Sequence, residues 1–152
     1  MMKHDRPQVV LVNRCIVRNS SNDILLVKRS VNDSYNPGKW EFPGGKLDIG
    51  QDLSNALERE VMEETGLLIE PESKLNFAES YIIGNEGQYM GFTYVALFGI
   101  AHSIGGKLKL SDEHDDYAWE DYDTALEYDL TIESRKALIV LTKTVLKEPS
   151  SI

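Results

Sequence analysis

Residues 45–67 constrain this chain more than any other stretch. They read Gly45-Lys-Leu-Asp-Ile-Gly50-Gln51-Asp52-Leu53-Ser-Asn-Ala-Leu57-Glu58-Arg59-Glu60-Val61-Met62-Glu63-Glu64-Thr-Gly66-Leu67. Leu53, Leu57 and Val61 recur every four residues, the apolar stripe of a helix. Pro43, Gly44, Gly45 and Gly50 mark a loop ahead of it. Asp52 is the expected N-cap, and Gly66 is the left-handed residue that ends the helix. At about 100° per residue, Glu60 and Glu64 fall on the side of Leu53 and Leu57. Glu63 lies at one edge of that arc, and Glu58 and Met62 take the outer side.

Such a helix is in conflict with itself. Like charges three and four residues apart repel by roughly 0.2–0.5 kcal/mol per pair. The glutamates also crowd the C-terminal end, where the helix dipole already carries about half a negative charge. Arg59 stands four residues before Glu63 and can pair with it, but one cation does not balance three anions. Either the run is a solvated face, or a divalent metal ion supplies the missing charge.

The segment closely resembles the signature of the Nudix hydrolases, Gly-x5-Glu-x7-Arg-Glu-U-x-Glu-Glu-x-Gly-U with U apolar. Gly45, Arg59, Glu60, Val61, Glu63, Glu64, Gly66 and Leu67 match, and Gln51 stands where the family usually has Glu. The preceding Gly38-Lys39-Trp40-Glu41-Phe42-Pro43-Gly44-Gly45 is similar to the approach to this motif in MutT-type members. The resemblance implies an α/β/α sandwich with a mixed β-sheet between helices, and hydrolysis of a nucleoside diphosphate linked to a further group. Element order agrees with an α+β fold.

The strands read as residues 8–18 and 24–29 around the turn Asn19 to Asp23, then Trp40 to Phe42, Leu75 to Ile83, Gln88 to Ala101 and 117–122. Residues 30–39 are a loop, Gly84 to Gly87 a turn, and Gly105-Gly106 a bend. A second helix is expected over Thr131 to Lys147, with Thr131 as N-cap and Ile132, Leu138, Leu141, Val145 and Leu146 on its apolar side. The chain, 152 residues long, reads as one domain with frayed termini at 1–7 and 148–152.

Charge narrows the partners. The net charge is −9; residues 1–60 carry nine Lys/Arg against eight Asp/Glu, and residues 61–152 seven against seventeen. Such an acidic chain suits duplex nucleic acid poorly, but a small polyphosphate bridged by metal to the carboxylates is compatible with it. No apolar run approaches the ~20 residues of a membrane span, and the N-terminus lacks a signal-peptide core. The single cysteine, Cys15, excludes an internal disulfide and reads as an inert core thiol. The expectation is a cytoplasmic protein without membrane association; a homodimer is left open.

Clustered glutamates offer hard oxygen ligands, which suits Mg2+, with Mn2+ as a substitute. Bound metal acidifies water and neutralises charge on phosphoryl oxygens. Without a visible Cys or His cluster, zinc is the weaker candidate. The resemblance assigns Glu60 and Glu64 as direct ligands, Glu63 as ligand of a second ion or general base, the Gly45 carbonyl as a further ligand, and Arg59 as the residue orienting the carboxylates. It also implies a carboxylate from a later loop, for which Glu113 is the first choice and Asp116 the second; the rival reading of Asp112 to Asp116 is a solvated acidic loop. His114 reads as a surface residue, and His4 and His102 have no partner that the sequence identifies. Arg29, Lys39 and Lys46 either attract phosphate or are plain surface side chains. Trp40 and Phe42 alternate on a short strand, so both face one pocket and stack on a base, or both belong to the core.

The MutT-like approach sequence favours a (deoxy)nucleoside triphosphate, cleaved to monophosphate and pyrophosphate. MutT-like enzymes read oxidised guanine with an Asn near the start of the last helix; Leu130-Thr131-Ile132-Glu133-Ser134-Arg135 contains none. The rival substrates are ADP-ribose or a nucleotide sugar. A rival of another class is a Nudix-fold sensor or interaction module that binds nucleotide without turnover.

Overall fold

The computed structural model describes residues 8–48, 50–72, 77–82 and 90–144. In chain order these form β1 (Val9–Arg18), β2 (Ile24–Arg29), β3 (Trp40–Glu41), β4 (Gly44–Lys46), α1 (Leu53–Thr65), β5 (Leu67–Pro71), β6 (Phe77–Ile82), β7 (Thr93–Gly106), β8 (His114–Glu120), α2 (Tyr122–Ala125) and α3 (Ile132–Thr144).

The sheet is mixed. β1 runs parallel to β7 from the pair Val9–Thr93 to the pair Arg18–His102. Both β5 and β6 lie antiparallel to β7, and β4 lies antiparallel to β1. The β1–β2 hairpin is paired at Arg18–Ile24; β2 then pairs with β8 and β3.

The period-two alternation of the strands separates two cores. Ile16, Ile24, Leu26, Phe98 and Ile100 pack with Phe42 and with Ala137, Leu138 and Leu141 of α3. Cys15, Val17, Leu25, Val27 and Ala101 pack with Leu57 and Val61 of α1. Successive residues of β1 and β2 therefore face opposite helices, and the α/β/α sandwich follows from that alternation. Burying each large apolar side chain contributes about 1.5–3 kcal/mol. Burial also raises the Cys15 thiol pKa well above its usual range, as an inert core thiol requires.

Several expectations are corrected. β4, β5 and α2 were not anticipated. β5 follows Gly66 directly, and its alternation of buried Leu67 and Ile69 with exposed Leu68 and Glu70 is too short to stand out beside a helix. β7 starts at Thr93 and runs to Gly106, because pairing with β5 carries it past Gly105. β8 begins at His114, inside the expected acidic loop. Ile132 is 70% exposed, not part of the apolar side of α3. The Gly84–Gly87 turn, both expected frayed termini, Val145 and Leu146 lie outside the described residues. Among those residues, no helix is long and apolar enough to cross a membrane.

Candidate active site

The end of α1 organises the site. Asp52 caps the start, its side chain accepting from the Asn55 N–H at 3.0 Å. Gly66 ends the helix at φ 75° and donates to the Met62 carbonyl at 2.9 Å. A Cβ on Gly66 would stand 2.4 Å from the Lys107 carbonyl oxygen, so glycine is needed for contact as well as conformation. The segment after β7 passes directly over the helix end. There the N–H groups of Lys109 and Ser111 donate to the carbonyls of Thr65 (2.9 Å) and Glu64 (3.1 Å). Helix carbonyls that lack an intrahelical partner are thereby satisfied, and Glu113 and His114 are delivered to the carboxylates.

Strand register supplies the rest. Arg29 lies opposite His114, Val27 opposite Glu41, and Arg14 opposite Gly44. A cavity of about 160 Å³ results, lined by Arg14, Arg29, Asp33, Glu41, Gly44, Gly45, Glu64, Glu113 and His114. Glu41 is its hub, 3.4 Å from Arg14, 3.1 Å from Arg29 and 2.9 Å from His114 Nε2. Arg29 also donates to Asp33 at 2.7 Å. His114 Nδ1 lies 3.7 Å from Glu64 Oε1.

Two buried carboxylates respond to this field in opposite directions. Burial alone would raise the Glu41 pKa, but Arg14, the His114 hydrogen bond and Arg29 outweigh it and bring it down to about 2. Burial dominates at Glu64; Arg14 opposes it, the carboxylates of Glu113, Glu41 and Glu60 add to it, and the pKa is pushed up to about 9. Glu60 is also raised, by burial first, with Arg59 opposing and Glu63 and Glu113 adding.

The expected site residues separate into two groups. Gly45, Glu64, Glu113 and Arg29 line the cavity. Glu60 stands beside it, its Oε2 2.7 Å from where a Gly45 Cβ would be, so a side chain at residue 45 would displace that carboxylate. Arg59 pairs with Glu60 and Glu63, each at 3.4 Å, and the Glu63 side chain is 57% exposed. Glu63, Asp116 and Lys46 do not line the cavity. Lys39 instead pairs with Asp129 at 2.9 Å.

Base stacking by Phe42 is ruled out: it is fully buried, edge-on to Phe98 at 6.2 Å. Trp40 packs on the same core, edge-on to Tyr128 at 4.9 Å. Alternation works the other way from one of the two readings: Glu41, between the two aromatics, is the residue that enters the cavity.

The histidines are corrected too. His114 is buried, not on the surface, and His102 meets Glu72 at 2.8 Å; His4 lies outside the described residues. Sequence reasoning missed Arg14 and passed over Glu41 as a partner. The signal for Arg14 was a cation inside an otherwise apolar strand, which a buried position must pair.

The donor set fits a divalent cation. Glu64 Oε2 and His114 Nδ1 are buried without a hydrogen-bond partner, an expense folded proteins rarely leave uncompensated. One ligand atom each from Glu64, Glu113 and His114 lies within 4.8 Å of the others. These three groups line the cavity, and Glu60 stands beside it.

Comparison with known proteins supports the fold and the family. A family model described as the NUDIX domain matches residues 10–141. The nucleoside triphosphatase NudI of Escherichia coli O139:H28 is 29% identical over 132 residues, covering 82% of this chain and 91% of that protein. NudI of Shigella flexneri gives the same values. Among solved structures, the MutT protein from Methanosarcina mazei Go1 superposes with a TM-score of 0.77 at 25% identity, covering 91% of this chain and 96% of that one. A MutT NUDIX hydrolase from Burkholderia pseudomallei gives 0.70 at 28% identity, covering 87% and 97%. The signature at the end of α1, the sandwich that carries it and a family match across most of the sequence together establish that this chain belongs to the Nudix family of pyrophosphohydrolases.

Proposed function

We propose that this chain is a Mg2+-dependent hydrolase of small nucleotides, acting on a (deoxy)nucleoside triphosphate to give monophosphate and pyrophosphate. The observation that carries this reading is the buried, partnerless Oε2 of Glu64 at the wall of a cavity that also presents Glu113, Arg14 and Arg29. A relative named as a nucleoside triphosphatase supports the substrate class.

In this reading Glu60, Glu64, Glu113 and the Gly45 carbonyl would hold the ion, and Glu63 would hold a second ion or take the proton of the attacking water. Arg59, paired with both Glu60 and Glu63, keeps those carboxylates in place. Arg29 attracts the phosphate chain. Mg2+, when bound, would supply charge neutralisation and an acidified water. Water oxygen bonds to phosphorus, the bond from phosphorus to the bridging oxygen breaks, and pyrophosphate leaves.

The test is incubation of the purified protein with a nucleotide panel and Mg2+, with products identified by mass. Pyrophosphate and a nucleoside monophosphate are expected from triphosphates. Two monophosphates from ADP-ribose alone would move the substrate class, and no product from any nucleotide would leave a binding module.

A further inference from the structure

We infer that His114 is a ligand of the same metal ion through Nδ1, making the site a mixed nitrogen–oxygen one that binds Mn2+ or Co2+ more tightly than the Mg2+ that serves the proposed reaction. This rests on the reading of Glu64 as a metal ligand and adds to it a residue that the sequence placed on the surface.

Four observations converge on His114. It is only 6% exposed, and its Nδ1 has no hydrogen-bond partner. Its other ring nitrogen, Nε2, lies 2.9 Å from Glu41 Oε2. Nδ1 lies 3.7 Å from Glu64 Oε1, and the two residues form a compact group with Glu113. β8 register fixes the backbone of His114 opposite Arg29.

A metal-bound histidine characteristically gives its second N–H to a carboxylate, which sets the tautomer and aims the free lone pair at the ion. Glu41 is built for that task. Arg14 and Arg29 hold its carboxylate in place, where Nε2–H can donate to it at 2.9 Å. The remaining lone pair, on Nδ1, faces Glu64. Two ligands each about 2.0–2.2 Å from one ion stand roughly 3–4 Å apart, which the Nδ1–Oε1 separation satisfies. Imidazole suits first-row transition ions, whereas Mg2+ favours oxygen and retains its waters.

Mn2+ binding to the intact protein tests this without turnover. Pulsed electron paramagnetic resonance of Mn2+-loaded wild type should show 14N coupling from a directly bound imidazole. Wild type should bind Mn2+ at least about tenfold more tightly than Mg2+. In His114→Gln the coupling should vanish and Mn2+ affinity fall by about tenfold, with Mg2+ affinity changed less than about threefold. An all-oxygen signal in wild type overturns the inference even if His114→Gln fails to fold, as does an equal loss of both ions in that variant. Both results leave Glu64 as a ligand if Glu64→Gln abolishes binding. Unchanged Mn2+ binding in Glu64→Gln would overturn the inference together with the function it rests on.

Discussion

β1 carries two buried arginines four residues apart, and each builds a set of Arg, Glu and His. Arg14 meets Glu41, which meets His114. Arg18 meets Glu72 at 3.2 Å, which meets His102 at 2.8 Å, and Arg18 Nε donates to Asn22 at 2.7 Å. The chemistry is the same and the outcome differs. Among the described residues, no side-chain atom of the Arg18 set is buried without a hydrogen-bond partner, whereas Arg14 Nε, Glu64 Oε2 and His114 Nδ1 all are. The added element is Glu64, a carboxylate that α1 pushes into a set already balanced. A closed set of this kind clamps strands together; the open one keeps unmet bonding capacity beside a cavity. Unsatisfied atoms, more than charge or burial, separate the candidate site from the structural cluster.

The contrast is broken most directly at its two carboxylates. Glu64→Gln should lower kcat by more than about 10²-fold with the fold intact, while Glu72→Gln should leave kcat within about threefold. Steady-state hydrolysis of the best panel nucleotide measures both, and near-normal turnover in Glu64→Gln would remove that residue from the chemistry. Stability should rank them in the opposite order. Removing one partner of a buried pair costs about 3 kcal/mol, so Glu72→Gln should melt roughly 6–12 °C lower.

The pH dependence of melting sharpens the comparison. Glu64 has its pKa raised in the fold, from 4.5 to about 9. Its contribution is therefore fully present below 4.5 and lost as pH rises toward 9. Glu41 is lowered to about 2, so its contribution is present above 4.5 and lost as pH falls toward 2. In chelator, wild type should lose on the order of 5 °C relative to Glu64→Gln as pH rises across the Glu64 window. Parallel curves would show that Glu64 ionises without hindrance. The smallest effect belongs to Gln51, whose Oε1 accepts from the Asp48 N–H at 2.7 Å. Glu can accept the same bond, so Gln51→Glu should change kcat by less than about twofold; a large loss would give the amide a specific role.

Local periodicity made α1, its caps, β1 and β2 legible in the sequence, because a four-residue stripe and a β-branched run are written in neighbouring residues. The glutamates at the end of α1 were legible as a motif, not as a geometry. What escaped depended on long-range register. Nothing near His114 in sequence reports that β8 will lay it against Arg29, or that Ser111 will tie its loop to the end of α1. Trp40 and Phe42 were assigned to one face correctly, but which face met the cavity was set by α3, about ninety residues further on. Glu41 gained its role from Arg14 and Arg29, on two other strands.

The central claim is that the fold tolerates Glu64 in order to hold a cation. Melting of wild type and Glu64→Gln at neutral pH, in chelator and then in saturating Mg2+, tests it in one experiment. Without metal the variant should be the more stable, since its amide folds into that buried position without the proton uptake that Glu64 requires at neutral pH. With Mg2+ near 100 times its dissociation constant, wild type should gain about 2.7 kcal/mol and the variant far less, so the order narrows or reverses. Equal gains in both proteins, or a variant less stable in chelator, would contradict the account.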